Sequence, residues 1–176
     1  MKITLSGIAF EHAPLVFDDC SSVQLINCSF KNAGKRAAVS VRTQNIPTVF
    51  LHIQGPSLFL NNQRCIEVWI RNKRGFSLTL RVNNTIFQEN GLQSNQSIGP
   101  MISIRTNIKS NSSVQTDISV TNVTSVENKT PFILLVLPTA NSKEVYSHVK
   151  LLNNNLKSSN TRNSARRFMD LSLIHI

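Results

Sequence analysis

Two adjacent carboxylates, Asp18 and Asp19, followed by Cys20, are the residues of this chain whose types and spacing most suggest acid–base chemistry. A pair of acids can protonate a leaving oxygen and activate a water in glycoside hydrolysis. With further acids, such a pair can instead hold calcium beside a base that abstracts a proton. The chain carries 9 acidic residues against 19 basic ones, and no other two acids are neighbours in sequence. His12 and His52 stand isolated. Asp18 and Asp19 are therefore weak catalytic candidates, and a solvated turn is the plainer reading of them.

The other reactive side chains are equally sparse. Cys20, Cys28 and Cys65 contain no pair at the two-residue spacing of a zinc site, so no metal and no cofactor is expected. Cys28 follows the apolar positions Val23 and Leu25 and precedes Phe30, which suits a small packing residue as well as a disulfide partner. The pairing of the three cysteines stays open. The formal net charge of +10 at pH 7 raises the question of an anionic partner. Basic residues cluster modestly at Arg64, Arg71, Lys73, Arg74 and Arg81, and again at Arg162, Arg166 and Arg167. A nucleic-acid groove would interleave such a stripe with stacking aromatics. Here the aromatics are mostly Phe at apolar-patterned positions, so acidic glycans are the better match, with Arg71, Lys73 and Arg74 as the candidate binding residues.

The elements that would position these groups are written in a repeated phrase. An apolar–x–apolar–x–Asn/Gly–x–x–apolar pattern starts at Ile3, Val23, Leu51, Leu80, Ile118 and Val149. In register the copies read Ile3/Leu5/Gly7/Phe10, Val23/Leu25/Asn27/Phe30, Leu51/Ile53/Gly55/Leu58, Leu80/Val82/Asn84/Phe87, Ile118/Val120/Asn122/Ser125 and Val149/Leu151/Asn153/Leu156. Two apolar residues at period two share one face of a strand. The Asn or Gly tolerates the left-handed backbone a corner needs. A second short apolar stretch follows in most copies: Leu15–Phe17, Val39 and Val41, Ile66/Val68/Ile70, Ile102/Ile104 and Phe132–Leu137. Fixed offsets inside a unit, with variable spacing between units, are the mark of a solenoid. An ordinary β-sandwich gives no reason for Asn/Gly and Phe to recur at set offsets. Stacked units would place Asn27, Asn84, Asn122 and Asn153 at equivalent corners, as a structural amide ladder.

Stretches such as Ile3-Thr-Leu-Ser-Gly-Ile-Ala-Phe10 and Ser22-Val-Gln-Leu-Ile-Asn-Cys-Ser-Phe-Lys-Asn-Ala-Gly34 resemble rungs of the right-handed parallel β-helix, the pectin-lyase-like superfamily. The resemblance covers most of residues 1–158 and is specific for fold, not for any subfamily. It implies an all-β solenoid of about six coils, incomplete at both ends, on the order of 25–30 Å tall at the ~4.8 Å interstrand spacing. It also implies an extracellular or cell-surface setting. Asp18-Asp19-Cys20 is similar to an Asp-Asp-Cys segment of polygalacturonases, but the Asn-Thr-Asp, Gly-His-Gly and Arg-Ile-Lys motifs that accompany it there have no counterpart here.

Beyond the repeats, residues 159–170 lose all alternation and read as a polar, basic, disordered tail. Residues 171–176, Leu-Ser-Leu-Ile-His-Ile, read as the translation of a sequencing adapter, so the chain is expected to be a piece of a longer protein. No window approaches the roughly 18 unbroken apolar residues of a membrane span. N-glycosylation sequons occur at Asn27, Asn83, Asn95, Asn111, Asn122 and Asn128. Asn95 and Asn111 lie in polar insertions and are the favoured acceptors, with Asn83 and Asn128 behind them. The expectation is a non-catalytic, rigid binding or structural module for carbohydrate or protein. The alternative is a polysaccharide lyase or glycoside hydrolase whose catalytic residues lie outside this chain.

Overall fold

The computed structural model describes residues 1–72, 75–91, 100–108, 113–128, 133–136 and 144–158. Lys73, Arg74, Asn95, Asn111 and the segments 159–170 and 171–176 lie outside them. The described residues form strands and turns, with no helix among them. The strands fall in threes along the chain. The first six are β1 (Lys2–Ser6), β2 (Ala9–Glu11), β3 (Leu15–Asp18), β4 (Ser22–Ile26), β5 (Ser29–Lys31) and β6 (Ala37–Thr43). Next come β7 (Thr48–Gln54), β8 (Ser57–Leu60), β9 (Arg64–Asn72), β10 (Phe76–Asn83), β11 (Thr85–Gln88) and β12 (Ile102–Ile108). The last are β13 (Ser113–Thr121), β14 (Thr124–Asn128), β15 (Ile133–Val136), β16 (Glu144–Leu152) and β17 (Asn155–Ser158).

Each strand from β1 to β14 pairs in parallel with the strand three places on. Sheet A runs β1-β4-β7-β10-β13-β16, sheet B β2-β5-β8-β11-β14-β17, and sheet C β3-β6-β9-β12-β15; none of them closes into a barrel. Sheet A takes the register of the repeated phrase. Ile3, Val23, Leu51, Leu80, Ile118 and Val149 pair successively across it, as do Leu5, Leu25, Ile53, Val82, Val120 and Leu151. The period-two alternation is visible in β10, whose residues alternate buried and half-buried from Phe76 to Asn83. Sheet C adds its own apolar rows: Leu15, Val39, Ile66 and Ile102 pair in one, Phe17, Val41, Val68 and Ile104 in the next.

Inside sheet B a column of phenylalanines runs through the core. Phe10, Phe30, Phe59 and Phe87 stack with ring centroids 5.2, 4.8 and 4.9 Å apart. That spacing is the interstrand distance of a parallel sheet, so backbone pairing sets the ring separation. The phrase names Leu58 as the inward residue of the third unit; the structure corrects this to Phe59, which pairs with Phe30 and Phe87. The physical reason is Pro56, one extra residue between the Gly55 corner and the strand. It shifts every following side chain to the opposite face.

The corners follow the phrase, but the ladder does not. Gly7, Asn27, Gly55, Asn84, Asn122 and Asn153 all have positive φ, from 51 to 78°. The four asparagines are exposed, and Gly55 interrupts their column. The Asn27 side chain lies where a Cβ on Gly55 would sit, its Oδ1 1.8 Å from that point. A buried amide ladder forms one corner later, after sheet B. Asn62, Asn90 and Asn128 are each about 1% exposed. Asn62 donates its backbone N–H to Asn90 Oδ1 at 2.9 Å, and Asn90 donates its own to Asn128 Oδ1 at 2.8 Å. Their Nδ2 groups donate to the carbonyls of Phe30, Phe59 and Phe87 at 3.0, 3.0 and 2.8 Å. A ladder stabilises where water cannot compete for the amide, which is why it lies inside rather than at the exposed corners.

Candidate functional site

With the core closed by apolar rows, chemistry is left to the outward faces. On sheet C, the residue following the second apolar row lies on the outward face in β3, β6, β9 and β12. Asp18, Arg42, Trp69 and Arg105 pair successively there. The Arg71 guanidinium lies 3.8 Å from the centroid of the Trp69 ring, a cation–π contact. Asp18, Asp19, Arg42, Thr43, Gln44, Trp69 and Arg71 line an open groove of about 260 Å³. It presents a flat indole, two guanidinium groups, two carboxylates and the amide and hydroxyl groups of Gln44 and Thr43.

The two acids of this groove have different fates. Asp18 is exposed and pairs in register with Arg42. Asp19 sits at a left-handed corner with φ 49° and clamps the loop that follows β6. Its Oδ1 accepts from the N–H of Gln44 at 2.9 Å, the N–H of Asn45 at 3.3 Å and Thr43 Oγ1 at 3.1 Å, while Oδ2 accepts from Asn45 Nδ2 at 3.2 Å. The Gln44 and Asn45 amides hold its carboxyl below the ordinary value of 3.8. Asp19 is thus committed to the fold, and the pair is not two free carboxylates facing a substrate. The stability it contributes is complete above the unfolded carboxylate value and is lost as pH falls through the lowered folded one. The melting temperatures of the protein and of Asp19→Ala are therefore expected to differ at neutral pH and to converge as pH drops below 3.8. A gap that persists through that range would show that the charge of Asp19 plays no part.

Sheet A presents a second polar face, which the isolated look of His52 in the sequence conceals. Thr4, Gln24, His52, Arg81, Ser119 and Lys150 pair successively in one outward row. The neighbouring row runs Ser22, Phe50, Thr79, Asp117 and His148. His52 meets the Phe50 ring edge-on at 5.8 Å and 78°. Arg81 pairs with both oxygens of Asp117, and His148 Nδ1 lies 3.2 Å from Asp117 Oδ1. The His148 hydrogen bond, and then the Arg81 charge, hold the Asp117 carboxyl below 3.8. Burial and the Arg81 charge hold the His52 imidazole below its ordinary 6.5.

The remaining candidates are dispersed. Arg64 faces Glu67 at 3.9 Å on sheet C, while Arg81 belongs to sheet A, so the sequence cluster divides between two faces. Cys20, Cys28 and Cys65 are buried free thiols, and burial pushes the Cys65 thiol well above its usual range. No group of three or more His, Cys, Asp or Glu among the described residues could hold a metal ion. Asn128 Nδ2 is buried and donates to Phe87 O and Ser125 Oγ, so in the folded chain this amide is engaged in the ladder. Asn83 is half-buried, its Oδ1 accepting from Thr121 Oγ1 at 3.1 Å and Asn122 Nδ2 at 3.3 Å. No described helix is long and apolar enough to cross a membrane. No protein-family model, curated protein or solved structure matches this chain.

Proposed function

We propose that the chain is a stretch of right-handed parallel β-helix of about six coils, akin to the pectin-lyase-like superfamily. In this reading it acts outside the cell or on its surface as a stiff, non-catalytic module that binds carbohydrate, acidic glycans above all. Strand pairing three places apart in all three sheets supports the architecture. The observation that carries the binding role is the Trp69 groove, where Arg71 lies 3.8 Å over the indole and Arg42 pairs directly beside it. The indole holds the Arg71 guanidinium against its face, and guanidinium donors match carboxylate and sulfate in bidentate geometry. The commitment of Asp19 to the Gln44–Asn45 loop favours binding over hydrolysis at this groove.

The test is the double variant Trp69→Ala/Arg71→Glu, titrated at neutral pH with a sulfated and a carboxylated polysaccharide. Loss of stacking plus reversal of one charge is expected to weaken binding about tenfold or more. The melting temperature should stay close to that of the unaltered protein, because Arg71 is exposed and Trp69 half-buried. Unchanged affinity for both polysaccharides would exclude the groove.

A further inference from the structure

We propose that Arg105 extends the Trp69 groove into a track along the stack, which takes an acidic oligosaccharide with charged groups spread over about 10 Å in preference to a single anionic group. The proposal rests on the reading that the groove binds acidic glycans. Arg105 is exposed on β12 and pairs with Trp69 on the side away from Arg42. It lies beyond the groove, whose lining comes from β3, β6, β9 and the turns beside them. Arg42 and Arg105 are therefore two strand spacings apart, about 10 Å at ~4.8 Å each. The indole stands between them, with the Arg71 guanidinium over it at 3.8 Å.

These three arginines are not neutralised. Among the described residues none of them makes an ion pair, whereas Arg64 faces Glu67 and Arg81 faces Asp117. Glu67 lies two residues before Trp69 on β9, and Arg64 already matches its charge. Asp19 is held by the Gln44–Asn45 loop. Asp18, exposed on β3 beside Arg42, closes the row at one end with a charge that repels an anion. Beyond Arg105 the row continues with the uncharged Val136. A polyanion seated on Arg42 and Arg71 is thus turned toward β12 rather than β3. A lone carboxylate or sulfate engages one exposed guanidinium, worth at most about fivefold in affinity. A chain already held at Arg42 and Arg71 presents its next charged group to Arg105 at high effective concentration, so that contact adds to the first.

The experiment measures the affinity of the whole chain for two series of size-defined oligosaccharides, from the disaccharide to the octasaccharide, one carboxylated and one sulfated on each sugar. It is run at neutral pH and about 0.15 M ionic strength, where exposed charges two strands apart are largely screened. Affinity is expected to rise tenfold or more along at least one series. Arg105→Glu should remove about tenfold from the octasaccharide and less than about twofold from the disaccharide, with an unchanged melting temperature. Arg105→Gln, which removes the charge without reversing it, should show the same dependence on length at about fivefold. A penalty that is absent, or equal at every length, in both variants overturns the proposal. If Trp69→Ala/Arg71→Glu still abolishes binding in that case, the groove reading stands alone. Absence of binding in both series overturns the two readings together. Tighter binding of an oligoglutamate of matched charge would place an acidic peptide on the row and overturn the proposal as well.

Discussion

Phe59→Ala is expected to destabilise the protein by about 4 kcal/mol, while Leu58→Ala, one residue earlier, costs less than about 1 kcal/mol. Phe59 is fully buried, with its ring 4.8 Å from that of Phe30 and 4.9 Å from that of Phe87. Removing it cuts the stack in the middle, leaving two ring faces without partners and a cavity that a parallel backbone cannot close. Leu58 points the other way and is only half-buried. Urea unfolding of the two variants measures the difference directly. Equal losses would mean that the extra residue at Pro56 does not shift the register, and the core assignment of the third unit would fall.

That contrast marks what could be read from the chain and what could not. The offsets between Val23, Leu25, Asn27 and Phe30 suffice to align sheet A and to place its left-handed corners, because side-chain alternation and the need for Asn or Gly at positive φ act locally. The Gly55-Pro56 corner defeats the same count, since one inserted residue leaves the composition alone and reverses the faces. The outward rows were present in the sequence too. His52, Arg81 and Lys150 each follow the first apolar position of their copy, and Asp117 and His148 each precede it. They escape notice because their spacing along the chain is irregular; only strand pairing makes 29 or 31 residues a single step. The Trp69 groove is legible in the same way, one residue past Phe17, Val41 and Val68. The cation–π contact of Arg71 is not, because it depends on a rotamer.

The buried amide ladder gives the sharpest test of the interior, through a substitution that alters hydrogen-bond polarity more than size. Asn90 Oδ1 accepts from the Asn62 N–H at 2.9 Å, and its Nδ2 donates to Phe59 O at 3.0 Å and to Asn128 Oδ1 at 2.9 Å. Asn90→Ala strands a buried donor on Asn62 and a buried acceptor on Phe59, a loss of about 3 kcal/mol. Asn90→Asp keeps the acceptor for Asn62 but turns its second oxygen toward two other acceptors, Phe59 O and Asn128 Oδ1. An ionised carboxylate there is both desolvated and repelled, so at neutral pH the aspartate is expected to cost at least as much as the alanine. Protonation replaces that oxygen with an O–H donor aimed at Phe59 O. Burial raises the folded-state value of this new carboxyl above the unfolded one, so its penalty is full at neutral pH and shrinks as pH falls through the raised value. Urea midpoints for both variants at neutral and mildly acidic pH would show the aspartate recovering toward acid while the alanine does not. An aspartate milder than alanine at neutral pH would reverse the donor and acceptor roles along the ladder, and with them the account of how successive turns of this chain are tied together from within.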